Sequence, residues 1–216
     1  MSSIMIFVEG GGETNASGRA ELRLAFDTLL GAQKESARKR GMRWNTVFCG
    51  GRSEAAGAFA KAVKREDADF VVLVVDAEDE VSSATPSHPT PAERVRHLKT
   101  RDAWTEQLRN ATPEHVHLMT RCIEAWVFAD GEKVAEFYGK DFKANALPKR
   151  KLLDEEPKTS LYAAIEKATK DTKKGRYGKV KHASALLKMV RTDKLAERCV
   201  SFQQLTQWLD AAIGGA

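Results

Sequence analysis

The chain has 216 residues, 42% of them hydrophobic and 30% charged, with a formal net charge of +5. That length suits one well-cored domain with a modest extension, and the composition excludes a disordered chain. No apolar run approaches the roughly 20 residues of a membrane-spanning helix, so no membrane partner is expected. Three widely spaced cysteines, Cys49, Cys122 and Cys199, make no CxxC pair. They indicate neither a zinc site nor a disulfide framework, and they point to a reducing, cytoplasmic setting.

Residues 4–8 (IMIFV) are too short for a signal-peptide core and lack a basic leader, so they read as a first strand. The strand runs into Glu9-Gly10-Gly11-Gly12, and a helical pattern follows with Leu22, Leu24, Phe26, Leu29 and Leu30 as its apolar stripe. Residues 44–49 (WNTVFC) form a second strand closed by Gly50-Gly51-Arg52. A helix over 54–65 then turns Ala56, Phe59, Ala60 and Val63 inward. Residues 70–75 (FVVLVV) are apolar at every position, as suits a strand covered on both faces of a parallel sheet. They end in Asp76-Ala77-Glu78. Residues 81–91, with three prolines, form a loop. A helix over 92–108 carries His97, Lys99, Arg101, Asp102 and Trp104. A fourth strand over 116–119 and one helix over 121–138 follow. Further helices are expected over 160–168, 183–190 and 202–213. The alternation up to residue 138 predicts an α/β fold, a central and mostly parallel sheet flanked by helices. Residues 1–140 make that domain, and residues 141–216 a helical, basic extension packed on the same core.

In an open parallel sheet, ligands bind beyond the carboxyl ends of the strands. Glu9 ends the first strand, and Asp76 and Glu78 follow the third, where period-two alternation puts 76 and 78 on one side if the strand continues that far. Converging carboxylates repel unless a cation neutralises them, and hard oxygen ligands favour Mg²⁺ or Mn²⁺. Acids that merely mark a chain re-entering solvent are the bland alternative for Asp76 and Glu78. Glu9 is harder to dismiss, because a carboxylate on an apolar strand before glycines that admit phosphate has no obvious structural return. A second charge feature is the run from 167 to 181, with Lys167, Lys170, Lys173, Lys174, Arg176, Lys179 and Lys181 against one acid, Asp171. It reads as a phosphate-contacting patch or as a solvated loop. A dinucleotide fingerprint fails, since position 15 is Asn15 where Gly-x-Gly-x-x-Gly needs glycine.

The placement of Glu9 in VEGGGET, Gly50 and Gly51 in FCGGR, and Asp76 with Glu78 in VVLVVDAED resembles the Toprim fold of topoisomerases, primases and overcoming-lysogenization-defect nucleases. That family has a glutamate after the first strand, a glycine closing the second and an Asp-x-Asp pair after the third. Here the second member of the pair is Glu. The phrases VEGGGETNASGRAELR, CGGR, HLKTRDAW, HLMTRCIEAWVFAD and KATKDTKKGRYGKVKHASALL look like a Toprim-like family labelled domain of unknown function 4276, and they span nearly the whole chain. The likeness makes Glu124 and Asp130 candidates to complete the site. They lie six residues apart, about 240° around a helix, so both cannot face one ion. Glu124 is preferred, and Asp130 equally suits an N-cap before Gly131. Trp126 and Phe128 read as core, and His117, facing inward or outward on a short strand, as a satisfied histidine rather than a catalytic one.

The reading is a metal-dependent phosphodiester-cleaving effector with catalytic Glu9, Asp76, Glu78 and Glu124, of which Glu9, Asp76 and Glu78 hold Mg²⁺ or Mn²⁺. Gly10, Gly11, Gly12, Arg52, Lys99, Lys173, Lys174, Arg176 and His182 are expected to contact phosphate on DNA or RNA. The resemblance further implies an AAA-type ATPase partner in prokaryotic genome or anti-phage defence. The alternative is a non-catalytic module that uses the same edge to dock a nucleotide, a nucleic acid or the ATPase.

Overall fold

The computed structural model describes residues 2–11, 16–85, 88–119 and 121–215, with the side chains of residues 16 and 17 left aside. Gly12 and part of the proline-rich loop lie outside the described residues. Four strands, β1 (Ser3–Gly11), β2 (Arg43–Gly50), β3 (Phe70–Val75) and β4 (Val116–Leu118), pair in the order β2-β1-β3-β4. Every pairing is parallel. The first and third strands are neighbours, with Ile4 opposite Phe70 and Val8 opposite Val74. Glu9 and Asp76 therefore leave the same end of the sheet side by side.

Period-two alternation divides the side chains between two cores. Ile4, Ile6, Val8, Val72 and Val74 face one apolar cluster, and Phe7, Val71, Leu73 and Val75 the other. The second cluster is roofed by α3 (Arg52–Arg65) and α4 (Pro91–Asp102). The first is larger. It gathers α1 (Ala16–Leu29), α2 (Gly31–Lys39), α5 (Glu124–Val127), α6 (Gly131–Tyr138), α7 (Lys158–Thr169), α8 (Lys179–Met189), α9 (Thr192–Arg198) and α10 (Val200–Gly214). Its apolar contacts run without a break from Ile4 and Phe26 to Leu205 and Ile213. No described helix is long and apolar enough to cross a membrane.

Local chemistry explains where elements depart from the sequence pattern. The helix expected over 121–138 is two helices, because Asp130 leaves the helical region and its Oδ1 accepts from Lys133 N at 3.2 Å, capping α6. The helix expected to reach residue 108 ends at Asp102, where Ala103 adopts φ 57° and closes it. It starts at Pro91 behind a Thr90–Glu93 capping box. Leu24, assigned to the inward stripe of α1, is 57% exposed, since the buried stripe runs through Ala25, Phe26, Leu29 and Leu30.

Asp130 also clamps α6 to the start of α9. Both of its oxygens receive Arg191, at 2.7 and 2.9 Å. Burial works against the Asp130 anion, but the Arg191 hydrogen bonds outweigh it and hold the carboxyl below its ordinary pKa. Asp130→Ala should cost about 1–3 kcal/mol in urea unfolding, with Asp130→Asn recovering the capping share.

Candidate functional site at the carboxylate edge

Glu9 is fixed from beneath. Its Oε2 accepts from the Asp76 backbone N–H at 3.1 Å and from Arg52 Nη1 at 3.1 Å. Arg52, the first residue of α3, also donates from Nη1 to the Asp76 carbonyl and from Nη2 to Asp102 Oδ2 at 2.7 Å. Its guanidinium lies 5.2 Å over the Trp104 ring. The donors expected to meet substrate phosphate are thus used to tie the ends of β1 and β3 to α4. The phrase HLKTRDAW serves the same loop: His97 Nε2 meets the Ala77 carbonyl at 2.9 Å, and Arg101 Nε donates to Asp79 at 2.8 Å. Lys99, from the same phrase, is half-buried on α4.

Asp76 and Glu78 converge, though not by strand alternation. The third strand stops at Val75, and Glu78 turns back through a left-handed backbone with φ 66°. That conformation is sparsely populated for a side chain of this kind. It is held by the Glu78 N–H donating to the Arg121 carbonyl at 2.9 Å. One carboxylate oxygen from each of Glu9, Asp76 and Glu78 then lies within 4.8 Å of the others.

Glu124, at the start of α5, joins them from below. It is wholly buried, and its Oε1 accepts from Tyr177 OH at 3.3 Å. Lys179 Nζ sits between the two deepest acids, 3.6 Å from Asp76 Oδ2 and 3.9 Å from Glu124 Oε1. Lys158 Nζ donates to Glu78 Oε2. Asp76 Oδ1 and Glu124 Oε2 are buried without a hydrogen-bond partner. Burial, reinforced by Glu9 and Glu124 and only partly offset by Lys179, pushes the Asp76 carboxyl up to about 8. Burial also raises Glu9 despite the opposing Arg52 charge. On Lys179, burial works to lower the pKa, but attraction to Asp76, Glu124 and Glu9 prevails and raises it.

Beside these acids a cleft of about 380 Å³ opens between Glu9, Gly10, Gly11, Phe48, Gly50 and Lys179. Glycine suits position 10 because its φ is 143°, a conformation that side-chain-bearing residues rarely adopt, and the Phe48 ring packs against it. An all-oxygen donor set, with Asp76 Oδ1 orphaned within it and Glu124 Oε2 orphaned nearby, fits a hard divalent cation. The residues that would hold it are Glu9, Asp76 and Glu78, with Glu124 in reserve beneath. Sequence reasoning passed over Lys158 and Tyr177, and it counted Lys179 as surface charge. All three arrive from the last third of the chain, and only tertiary packing brings them here.

The basic run divides. Lys179 reaches toward Asp76 with its side chain still 47% exposed, while Lys173 stays exposed on the turn between α7 and α8. Lys174 Nζ lies 4.6 Å over the Phe137 ring, and Arg176 pairs with Glu166 at 2.7 Å. His182 is 3% exposed, so it does not present itself to a surface polyanion. Its Nδ1 accepts from Gly178 N–H at 3.2 Å and meets Tyr138 OH at 3.1 Å, which steadies the start of α8. Trp126 and Phe128 are core residues. His117 points inward against Trp208 but is not the satisfied histidine expected, since its buried Nε2 has no partner among the described residues.

Residues 8–210 match the model of a family described as a domain of unknown function, DUF4276. No curated protein and no solved structure matches the chain.

Proposed function

The chain belongs to the DUF4276 family, and we propose that it is a Toprim-like, metal-dependent enzyme that cleaves phosphodiesters in nucleic acid. One observation carries the reading: carboxylate oxygens of Glu9, Asp76 and Glu78 gather within 4.8 Å at the carboxyl end of a parallel sheet. The order of those residues supports the Toprim resemblance, with Glu9 near the carboxyl end of β1, Gly50 closing β2 and the Asp76–Glu78 pair after β3. Bound Mg²⁺ or Mn²⁺ would supply an activated water and charge stabilisation for a transferring phosphoryl group. Glu9 keeps Oε1 clear of its Arg52 and Asp76 bonds, and its raised pKa suits a proton acceptor. Lys179 offers an ammonium donor to phosphate oxygens entering the cleft, and Lys158 offers another beside Glu78. Lys173, Lys174 and Arg176 supply a sequence-independent hold on the backbone. The test is cleavage of labelled single-stranded, duplex and transfer RNA substrates with and without Mn²⁺. Cleavage by wild type that Glu9→Gln lacks supports the reading, and the partner proposed from the resemblance is an AAA-type ATPase.

Lys179 acts here as a resident counter-ion that competes with the metal. Lys179→Met should bind Mn²⁺ more tightly, by about tenfold or roughly 1.4 kcal/mol in a calorimetric titration. Weaker binding would mean that Lys179 supports the metal instead.

A second reading has its own observation. Lys158 on Glu78 and Arg52 on Glu9 already neutralise much of the edge, as suits a docking surface that needs no metal. A pure binding module would show no turnover under any metal condition, and would bind polyanion equally with and without Mn²⁺.

A further inference from the structure

Arg94 on α4 is only 4% exposed, yet among the described residues it forms no ion pair. Its Nε donates to the Val116 carbonyl at 2.7 Å, and Nη1 to the Pro89 carbonyl at 3.3 Å and to Gln204 Oε1 at 3.1 Å. Nη2 donates to no described residue. A buried cation without a contacting anion is costly, and here burial, only partly offset by the more distant Glu114, draws the guanidinium down to about 10.

Arg94 lines a cavity of about 480 Å³, within the range that encloses small-molecule ligands. Apolar walls come from Ala77, Leu118 and Pro157. The acids that also line it are engaged. Asp79 holds Arg101, Glu80 holds Arg121 at 3.3 Å, Glu155 holds Arg150 at 3.3 Å, and Asp154 accepts from Ser201 N and Oγ at 3.0 Å each. Among the described residues, Arg94 is the cation left without an ion pair, and Asp154 is the one lining acid met by neutral donors alone. The cavity also abuts the carboxylate edge, since Ala77 stands between Asp76 and Glu78, and Pro157 precedes the Lys158 that meets Glu78.

We propose that this cavity binds one nucleotide unit of the nucleic-acid substrate, its phosphate on Arg94 and its base against Leu118, Ala77 and Pro157. The proposal rests on the phosphodiester reading of the neighbouring edge. A nucleotide seated here would hold the adjoining phosphodiester beside Glu78, and the substrate would be a strand with an unstacked base.

The test is calorimetry on the full chain in EDTA, using AMP, adenosine, inorganic phosphate and N-acetylglutamate as probes. AMP should bind at least tenfold more tightly than each of the others. Arg94→Gln should lose at least tenfold in AMP affinity. Because that variant also removes three structural hydrogen bonds, Val81→Trp, which fills the cavity from its rim and leaves Arg94 in place, provides a second test and should lose AMP binding too. Equal AMP affinity in wild type and a folded Val81→Trp variant would overturn the proposal. So would tighter binding of N-acetylglutamate, which would mark a peptide carboxylate site. Cleavage under Mn²⁺ without AMP binding in EDTA would overturn the cavity alone, whereas AMP binding without cleavage under any condition would overturn the catalytic reading on which it rests.

Discussion

Mn²⁺ should raise the melting temperature of the wild-type protein and leave that of Asp76→Asn nearly unmoved. A ligand that binds only the folded state stabilises it by about 2.7 kcal/mol at one hundred times its dissociation constant. Asp76 is the deepest of the three candidate ligands, 2% exposed, with Oδ1 unpartnered. The metal-free comparison runs the other way. Replacing a buried, poorly compensated carboxylate by a neutral amide should stabilise the protein by about 1–3 kcal/mol, a rise of several degrees at roughly 2–4 °C per kcal/mol for this chain length.

The pH dependence has a definite sign. Folding raises the Asp76 pKa from 3.8 to about 8, so between those values the folded chain holds a proton that the unfolded chain has released. Metal-free wild type should therefore lose stability as pH climbs through that window, and Asp76→Asn should lose less. Saturating Mn²⁺ should flatten or reverse the slope, because it favours the ionised carboxyl. An equal response to metal and pH in both proteins would place the cation elsewhere.

The second large effect separates the acidic edge from the basic turn. Glu9→Gln should lower turnover by about 10²–10⁴-fold, the usual weight of a general base. Polyanion affinity should stay level or improve, since a neutral side chain repels phosphate less. Replacing Lys173, Lys174 and Arg176 together should do the reverse. Losing up to three phosphate contacts flattens the dependence of log affinity on log salt by about 2–3 on duplex DNA. The chemical step should survive at saturating substrate. Because an effector restrained by an ATPase partner would be inert alone, the same variants should also be scored for phage restriction with the proposed ATPase partner co-expressed. Wild-type behaviour of Glu9→Gln there would recast the edge as a docking surface.

Much of this was legible in the sequence because it depends on neighbours in the chain. Six consecutive β-formers over Phe70–Val75 announce a doubly covered strand, and Glu9 and Asp76 mark where the apolar runs end. Once β1 and β3 pair in parallel, the two acids must meet. Glu78 joined them for a reason the pattern did not hold, a left-handed residue beyond the strand end. The counter-ions were hidden for a different reason. Lys158, Tyr177 and Lys179 lie tens of residues from the acids, and a lysine in a basic run looks the same whether it faces water or Asp76. The break at Asp130 required choosing a cap over a continuous helix, and the choice depends on Arg191, 61 residues away.

The central claim is that Glu9, Asp76 and Glu78 share one divalent cation. Anomalous diffraction at the manganese edge from a Mn²⁺-soaked crystal tests it most directly. The account predicts a single strong peak within coordinating distance of all three carboxylates, with Lys179 withdrawn from Asp76. A fully soaked crystal with no peak there, and Lys179 and Lys158 still seated on the acids, would contradict it.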